Sequence, residues 1–128
     1  MVKTYLDELF NQQPGDLTTI IDSIRMIKSD YELNIARHAG QVGMAMMEAA
    51  KKTIRNNVPE YEIALAQSQA GTRKAAELLQ KHYPEDINMS PNIHFLPVIT
   101  SGQDLPKTHH RASTKIIKKG DPIFVCYC

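Results

Sequence analysis

Three polar side chains stand in a row at His109-His110-Arg111, and a thiol follows downstream at Cys126. An imidazole titrates near neutrality and can both take and give a proton, so His109 suits general acid–base work. His110 and Arg111 are candidates for substrate contact, Arg111 through a carboxylate. Neighbouring side chains on a loop diverge, so the His109-His110 pair is a poor joint metal site. The ordinary alternative for all three is a solvated loop, where polar residues collect by default. For Arg111 a solvated surface position is the simpler account. Cys126 lies in the apolar run Pro122-Ile123-Phe124-Val125-Cys126-Tyr127-Cys128, where a cysteine packs as a small apolar residue. A lone thiolate is a poor ligand for hard cations, which prefer carboxylate oxygen. Cys126 and Cys128 have no further cysteine with which to complete a zinc ribbon. His38, His82 and His94 are scattered, and Met44, Met46 and Met47 read as core or interface filler. No phosphate loop, nucleophile elbow or HExxH motif is present.

These groups need elements to position them. Thr18-Thr19-Ile20-Ile21 and Ile24-Arg25-Met26-Ile27 are short apolar runs that fit a strand or a short helix equally well. Ser29-Asp30-Tyr31-Glu32 is a capping box, with Ile27 and Leu33 placed for a hydrophobic staple. Ala36, Gly40, Gly43, Met47, Ala50 and Ile54 then repeat at steps of three and four, which predicts a helix over about 30–55. Val58-Pro59-Glu60 opens a second helix. Proline suits the first turn, and Glu60 and Glu62 suit the positive end of the dipole. Its stripe is Ile63, Ala66, Gln67, Ala70, Lys74 and Leu78, and it ends near Lys81. The segment Asn92–Thr100 reads as a strand with Pro97 at an edge or bulge. Lys118-Lys119-Gly120-Asp121 is a turn into a strand at 122–128, whose nearly continuous apolar character predicts burial on both faces. The chain stops inside that strand, and the expectation is a truncated domain, because lost pairing leaves backbone groups unsatisfied.

Composition sets the outer bounds. The 128 residues are 42% hydrophobic and 23% charged, with a formal net charge of +1. That suits one soluble globular domain. It leaves no electrostatic footprint for nucleic acid or an anionic membrane. No apolar run is long enough to cross a bilayer. Acidic residues arrive early in Met1-Val2-Lys3-Thr4-Tyr5-Leu6-Asp7-Glu8, unlike a signal peptide, and the thiols favour the cytoplasm.

Four ordered pieces resemble one family. They are the Ser101-Gly102 loop, His109, the Gly120-Asp121 turn and the strand through Cys126. Upstream, Ile24–Ser29 with Glu32, and the Val58-Pro59-Glu60-Tyr61-Glu62-Ile63-Ala64 connection, fit the same pattern. The chain is similar to creatinases, prolidases and aminopeptidases P, which share the pita-bread fold. The resemblance implies an α+β fold, two long helices on a curved antiparallel sheet, of which 1–128 would be the first half as a single domain with 1–23 as a lead-in. It implies that His109 stands beside the scissile bond, as the proton carrier in creatinase-like members. Cys126 falls where the peptidases place their first metal-ligating Asp, which implies the metal-independent, creatinase-like branch with no cofactor. The expected function is a fragment of a hydrolase acting on C–N bonds of small amide, amidine or Xaa-Pro substrates, with too few catalytic groups to act alone. The alternatives are an Xaa-Pro aminopeptidase or dipeptidase with an altered metal site, and a non-catalytic peptide-binding module. The expected partners are a small-molecule or dipeptide substrate and a second copy in a homodimer.

Overall fold

The computed structural model describes residues 15–91, 97–107 and 109–127. The part of the predicted 92–100 strand before Pro97, together with His94 and Cys128, lies outside the described residues. The chain divides into two units, Met1–Asn34 and Ile35–Cys128.

In the first unit, the apolar runs that left strand and helix open form a helix, α1, over Thr18–Met26. Thr18 N–H donates to Asp16 Oδ1 at 2.9 Å, which satisfies one of the donors orphaned at a helix start. The capping box forms as the sequence predicts. Ser29 N–H and Oγ both donate to Glu32 Oε2 at 2.8 Å, and Glu32 N–H donates back to Ser29 Oγ at 3.3 Å. The staple does not contribute burial, because Ile27 is 84% exposed.

The capped helix, α2, runs over Asp30–Thr53, and α3 runs over Glu60–His82. Both match the predicted spans. The stripe that α2 buries is shifted, however: Val42, Gly43, Met46 and Ala50 are buried, while Gly40 and Met47 are exposed. Val42, Met46 and Ala50 are four residues apart and form a better apolar ridge than the small-residue stripe. On α3 the buried set is Glu60, Ile63, Gln67, Gly71, Ala75 and Leu78, so Lys74 is not part of it.

Two strands complete the described architecture, which is α+β. They are β1 (Pro97–Ser101) and β2 (Ile123–Tyr127), paired antiparallel from Pro97↔Tyr127 to Ser101↔Ile123. Side chains alternate across a strand, so Ile123, Val125 and Tyr127 share one face. Ile123 and Val125 pack on a core of Ala50, Ile63, Ile99 and Ile117, and Tyr127 packs on Val42, Met46, Ala75 and Leu78. The expected two-sided burial of β2 is therefore corrected: Phe124, on the other face, is 49% exposed. An apolar run predicts burial on both faces only if something covers both, and among the described residues the helices cover one.

The start of α3 is tied to the 113–117 segment. Its first N–H groups have no intrahelical acceptor. Glu60 N–H donates to Lys115 O at 2.9 Å and Tyr61 N–H to Ser113 O at 3.0 Å. Ile117 N–H donates to Val58 O at 2.9 Å and Asn57 N–H to Ile117 O at 2.9 Å. The predicted 118–121 turn is present, with Asp121 N–H on Lys118 O, Lys118 N–H on Asp121 Oδ2, and Gly120 at φ 94°. That positive φ is open to glycine at little cost. No helix among the described residues is long and apolar enough to cross a membrane.

Candidate functional site

The outer face of the strand pair supplies the floor of a pocket. Val98 on β1 and Cys126 on β2 are register partners, and Phe124 lies two residues before Cys126 on the same face. The loop after Ser101 supplies the rest. A short 3-10 turn, Gly102–Asp104, starts that loop, with Gly102 at φ 57°. A Cβ on Gly102 would stand 3.1 Å from Asp121 Oδ1, so glycine answers both the backbone and the space. The resulting cavity of about 190 Å³ is lined by Val98, Leu105, Lys107, His109, Phe124 and Cys126.

The pocket thus joins His109 and Cys126, the two residues that the sequence singled out most strongly. His109 itself has φ 54°, a left-handed conformation that few non-glycine residues adopt, histidine among the more frequent. His110 and Arg111 are not among the lining residues. His110 is half-buried, and its Nδ1 is buried without a hydrogen-bond partner among the described residues. The Arg111 backbone bridges Val98, and its side chain is exposed. The pocket's cation is Lys107.

Ion pairs brace the loop. Asp104 accepts from Lys107 at 2.6 Å through Oδ1 and from Lys115 at 2.8 Å through Oδ2. Hydrogen bonds from these two ammonium groups hold the Asp104 carboxyl down at about 2. The same bond to Asp104 raises Lys115, with the charges of Asp104, Glu60 and Asp121 adding to it against desolvation. Lys115 Nζ also donates to the Ser101 carbonyl.

Below the loop lies a buried carboxylate. Glu60 is 1% exposed. Its Oε1 accepts from Ser101 Oγ at 2.7 Å, and its Oε2 accepts from Ser113 Oγ at 2.6 Å and Ser113 N–H at 3.1 Å. Burial pushes its carboxyl up, but the hydrogen bonds from Ser113 and Ser101 and the Lys115 charge outweigh that, and the net direction is down. Sequence reasoning placed Glu60 at the helix start for its dipole and did not foresee its burial. A first-turn acid looks the same whether it faces water or two serines. Ser113 and Lys115 were missed because Glu60 and Asp104, which they meet, are not their neighbours in the chain.

A second polar group lies where α3 ends. His38 stacks on His82 with ring centroids 4.3 Å apart, and His38 Nδ1 and Tyr83 Oη are hydrogen-bonded at 2.8 Å. The two histidines, scattered in sequence, are thus neighbours in space. Among the described residues no group of three or more His, Cys, Asp or Glu could hold a metal ion. Around Cys126 the described lining offers one soft sulfur and the His109 imidazole but no carboxylate, a donor set that does not fit a hard divalent ion.

The chain is similar to a creatinase. The relative is creatinase from Bacillus sp. (strain B-0618), 29% identical over 115 residues, which cover 90% of this chain and 26% of the relative. The chain therefore spans about a quarter of the length of the curated relative that it matches. No family model matches the chain. The similarity extends over 115 of the chain's 128 residues.

Proposed function

We propose that this chain supplies part of the substrate site of a creatinase-like hydrolase that cleaves a C–N bond in a small amide, amidine or Xaa-Pro substrate. The observation that supports it is the meeting of His109 and Cys126 around one cavity of about 190 Å³. That volume suits a small molecule or a dipeptide side chain. His109 is the proton carrier. It takes a proton from water as the water oxygen bonds to the substrate carbon. It returns that proton to the nitrogen, which leaves with the electron pair of the broken C–N bond. An imidazole near neutrality does both, and help of this kind is worth ~10²–10⁴-fold in rate. Val98, Leu105, Phe124 and Cys126 form the apolar walls, which thin the water around the reacting atoms and strengthen each polar contact there. Cys126 packs and does not ligate. Lys107 is placed at the pocket for an anionic group of the substrate, its charge shared with Asp104.

The test has two arms. The chain takes the place of the matching stretch in the Bacillus creatinase, and the chimera is assayed on creatine-like and Xaa-Pro substrates with and without a chelator. Turnover that survives chelation is expected. Loss of turnover on chelation puts the peptidase alternative ahead. In parallel, the 128-residue chain is titrated with the same compounds while the His109 ring protons are followed by NMR. A saturable shift at His109 is expected, and no shift with any of them contradicts the reading.

A further inference from the structure

The loop that carries His109 leaves β1 at Ser101 and returns to the α3 contact at Ser113. These two residues are far apart in sequence from Glu60, yet both donate side-chain hydrogen bonds to its carboxylate, at 2.7 and 2.6 Å. A third bond, from Ser113 N–H, completes the set at 3.1 Å. One buried carboxylate thus joins the two ends of the loop whose described residues are 102–107 and 109–112. From this geometry we infer that Glu60 is a positioning residue, which fixes the loop so that His109 is presented to the pocket.

The chemistry favours a carboxylate over other acceptors. Three donors converge on Glu60, and only an ionised carboxyl has lone pairs for all of them without offering a competing hydrogen. Bonds to a charged acceptor are short and strong, as the distances here are. The partner groups have few alternatives. Ser101 is fully buried, so its hydroxyl would be stranded without Glu60. The α3 helix also fixes the carboxylate itself, because Glu60 N–H is held by Lys115 O and Tyr61 N–H by Ser113 O. Lys115 extends the brace to Asp104, which in turn holds Lys107 at the pocket. His109 at φ 54° makes no such tie of its own in the described structure, and a strained residue persists only where its surroundings over-determine it. What the ordering serves rests on the proposed role of His109, but the ordering itself does not.

The test uses the 128-residue chain and the variants Glu60→Asp, Glu60→Gln and Glu60→Ala, read by amide hydrogen exchange and by His109 ring NMR. Asp keeps the charge but is one methylene too short to reach both serines. Gln keeps the length but must turn its NH₂ toward one of them. The expected result for Asp is at least a tenfold loss of protection confined to loop amides 102–107 and 109–112, with the resonances of His109, whose side chain is already exposed, shifting and narrowing as the loop loses order, and the α2 and α3 amides unchanged. Gln should retain more of the loop order than Asp. If Ala fails to fold, the Asp and Gln variants decide. Unchanged loop amides and His109 signals in Asp overturn the inference. So does an equal loss of protection across loop and helices, which would make Glu60 a general stabiliser. A failure here leaves the ligand titration of His109 in the wild-type chain untouched, so the two ideas fall separately.

Discussion

Two glycines three residues apart on α2 should respond in opposite directions to the same substitution. Gly40 is exposed, and a Cβ there meets nothing within 4 Å. Gly43 is buried, and a Cβ there would lie 2.1 Å from Tyr127 Oη and 3.0 Å from Cζ. In a helix interior, alanine is favoured over glycine by about 1 kcal/mol. Gly40→Ala should gain most of that. Gly43→Ala gains the same propensity but must push the Tyr127 ring aside by roughly 1.3 Å to reach ordinary contact near 3.4 Å. Overpacking of this kind costs about 1–3 kcal/mol, so the net change should be a loss of about 0–2 kcal/mol. At this chain length 1 kcal/mol corresponds to roughly 3–6 °C in Tm. Thermal unfolding of the two variants should then differ by several degrees, Gly40→Ala above wild type and Gly43→Ala at or below it. Tyr127→Phe removes the atom that makes the closest contact, so the cost of Gly43→Ala should shrink in that background, a coupling that a double-mutant cycle measures. Equal upward shifts for both alanine variants, or no coupling to Tyr127, would refute the packing of β2 on α2 as described.

Further outcomes follow from the same structure. Ser29→Ala removes the capping box at α2 and should cost about 0.5–2 kcal/mol by denaturant unfolding, while Ser23→Ala at the exposed face of α1 should cost less. The carboxyls of Glu60 and Asp104 are held down in the folded state, so their stabilising contribution is present above the ordinary carboxylate range and is lost as pH falls through it, toward about 2 for Asp104. Lys115 is raised, so its contribution is present below its usual range and lost only as pH rises beyond it. Midpoints of urea unfolding should therefore fall steeply below pH 4.5, and the acid limb should flatten in Glu60→Gln. Exposed Met44, Leu65 and Phe124 lead us to expect association of the chain with a second copy, and light scattering at tens of micromolar that gives a clean monomer would contradict it.

Local signals carried much of the architecture. The capping box at Ser29 and the Pro59 entry to α3 involve residues next to one another in the chain, so the sequence shows them directly. The Gly120-Asp121 turn is legible for the same reason, because φ and side-chain length decide it locally. What α2 buries was harder to see. Small residues and long apolar ones alternate along it, and only the position of Ala75, Leu78 and Tyr127 selects the Val42–Met46 ridge. The pocket was half legible: His109 and Cys126 stood out by type and order, but their sharing of one cavity depends on the β1–β2 register. The Glu60 clasp was not legible at all. Its serines are ordinary residues until the fold brings them onto one carboxylate.

The most direct measurement of the central claim is the effect of His109→Ala on turnover by the creatinase chimera, with the chain's fold checked by amide exchange. A loop imidazole adds little packing, so the variant should fold as the parent does. Loss of its proton transfer should lower kcat by ~10²–10⁴-fold, with a smaller change in KM. Full retention of kcat would show that His109 is only a loop residue and that the catalytic reading of the pocket is wrong.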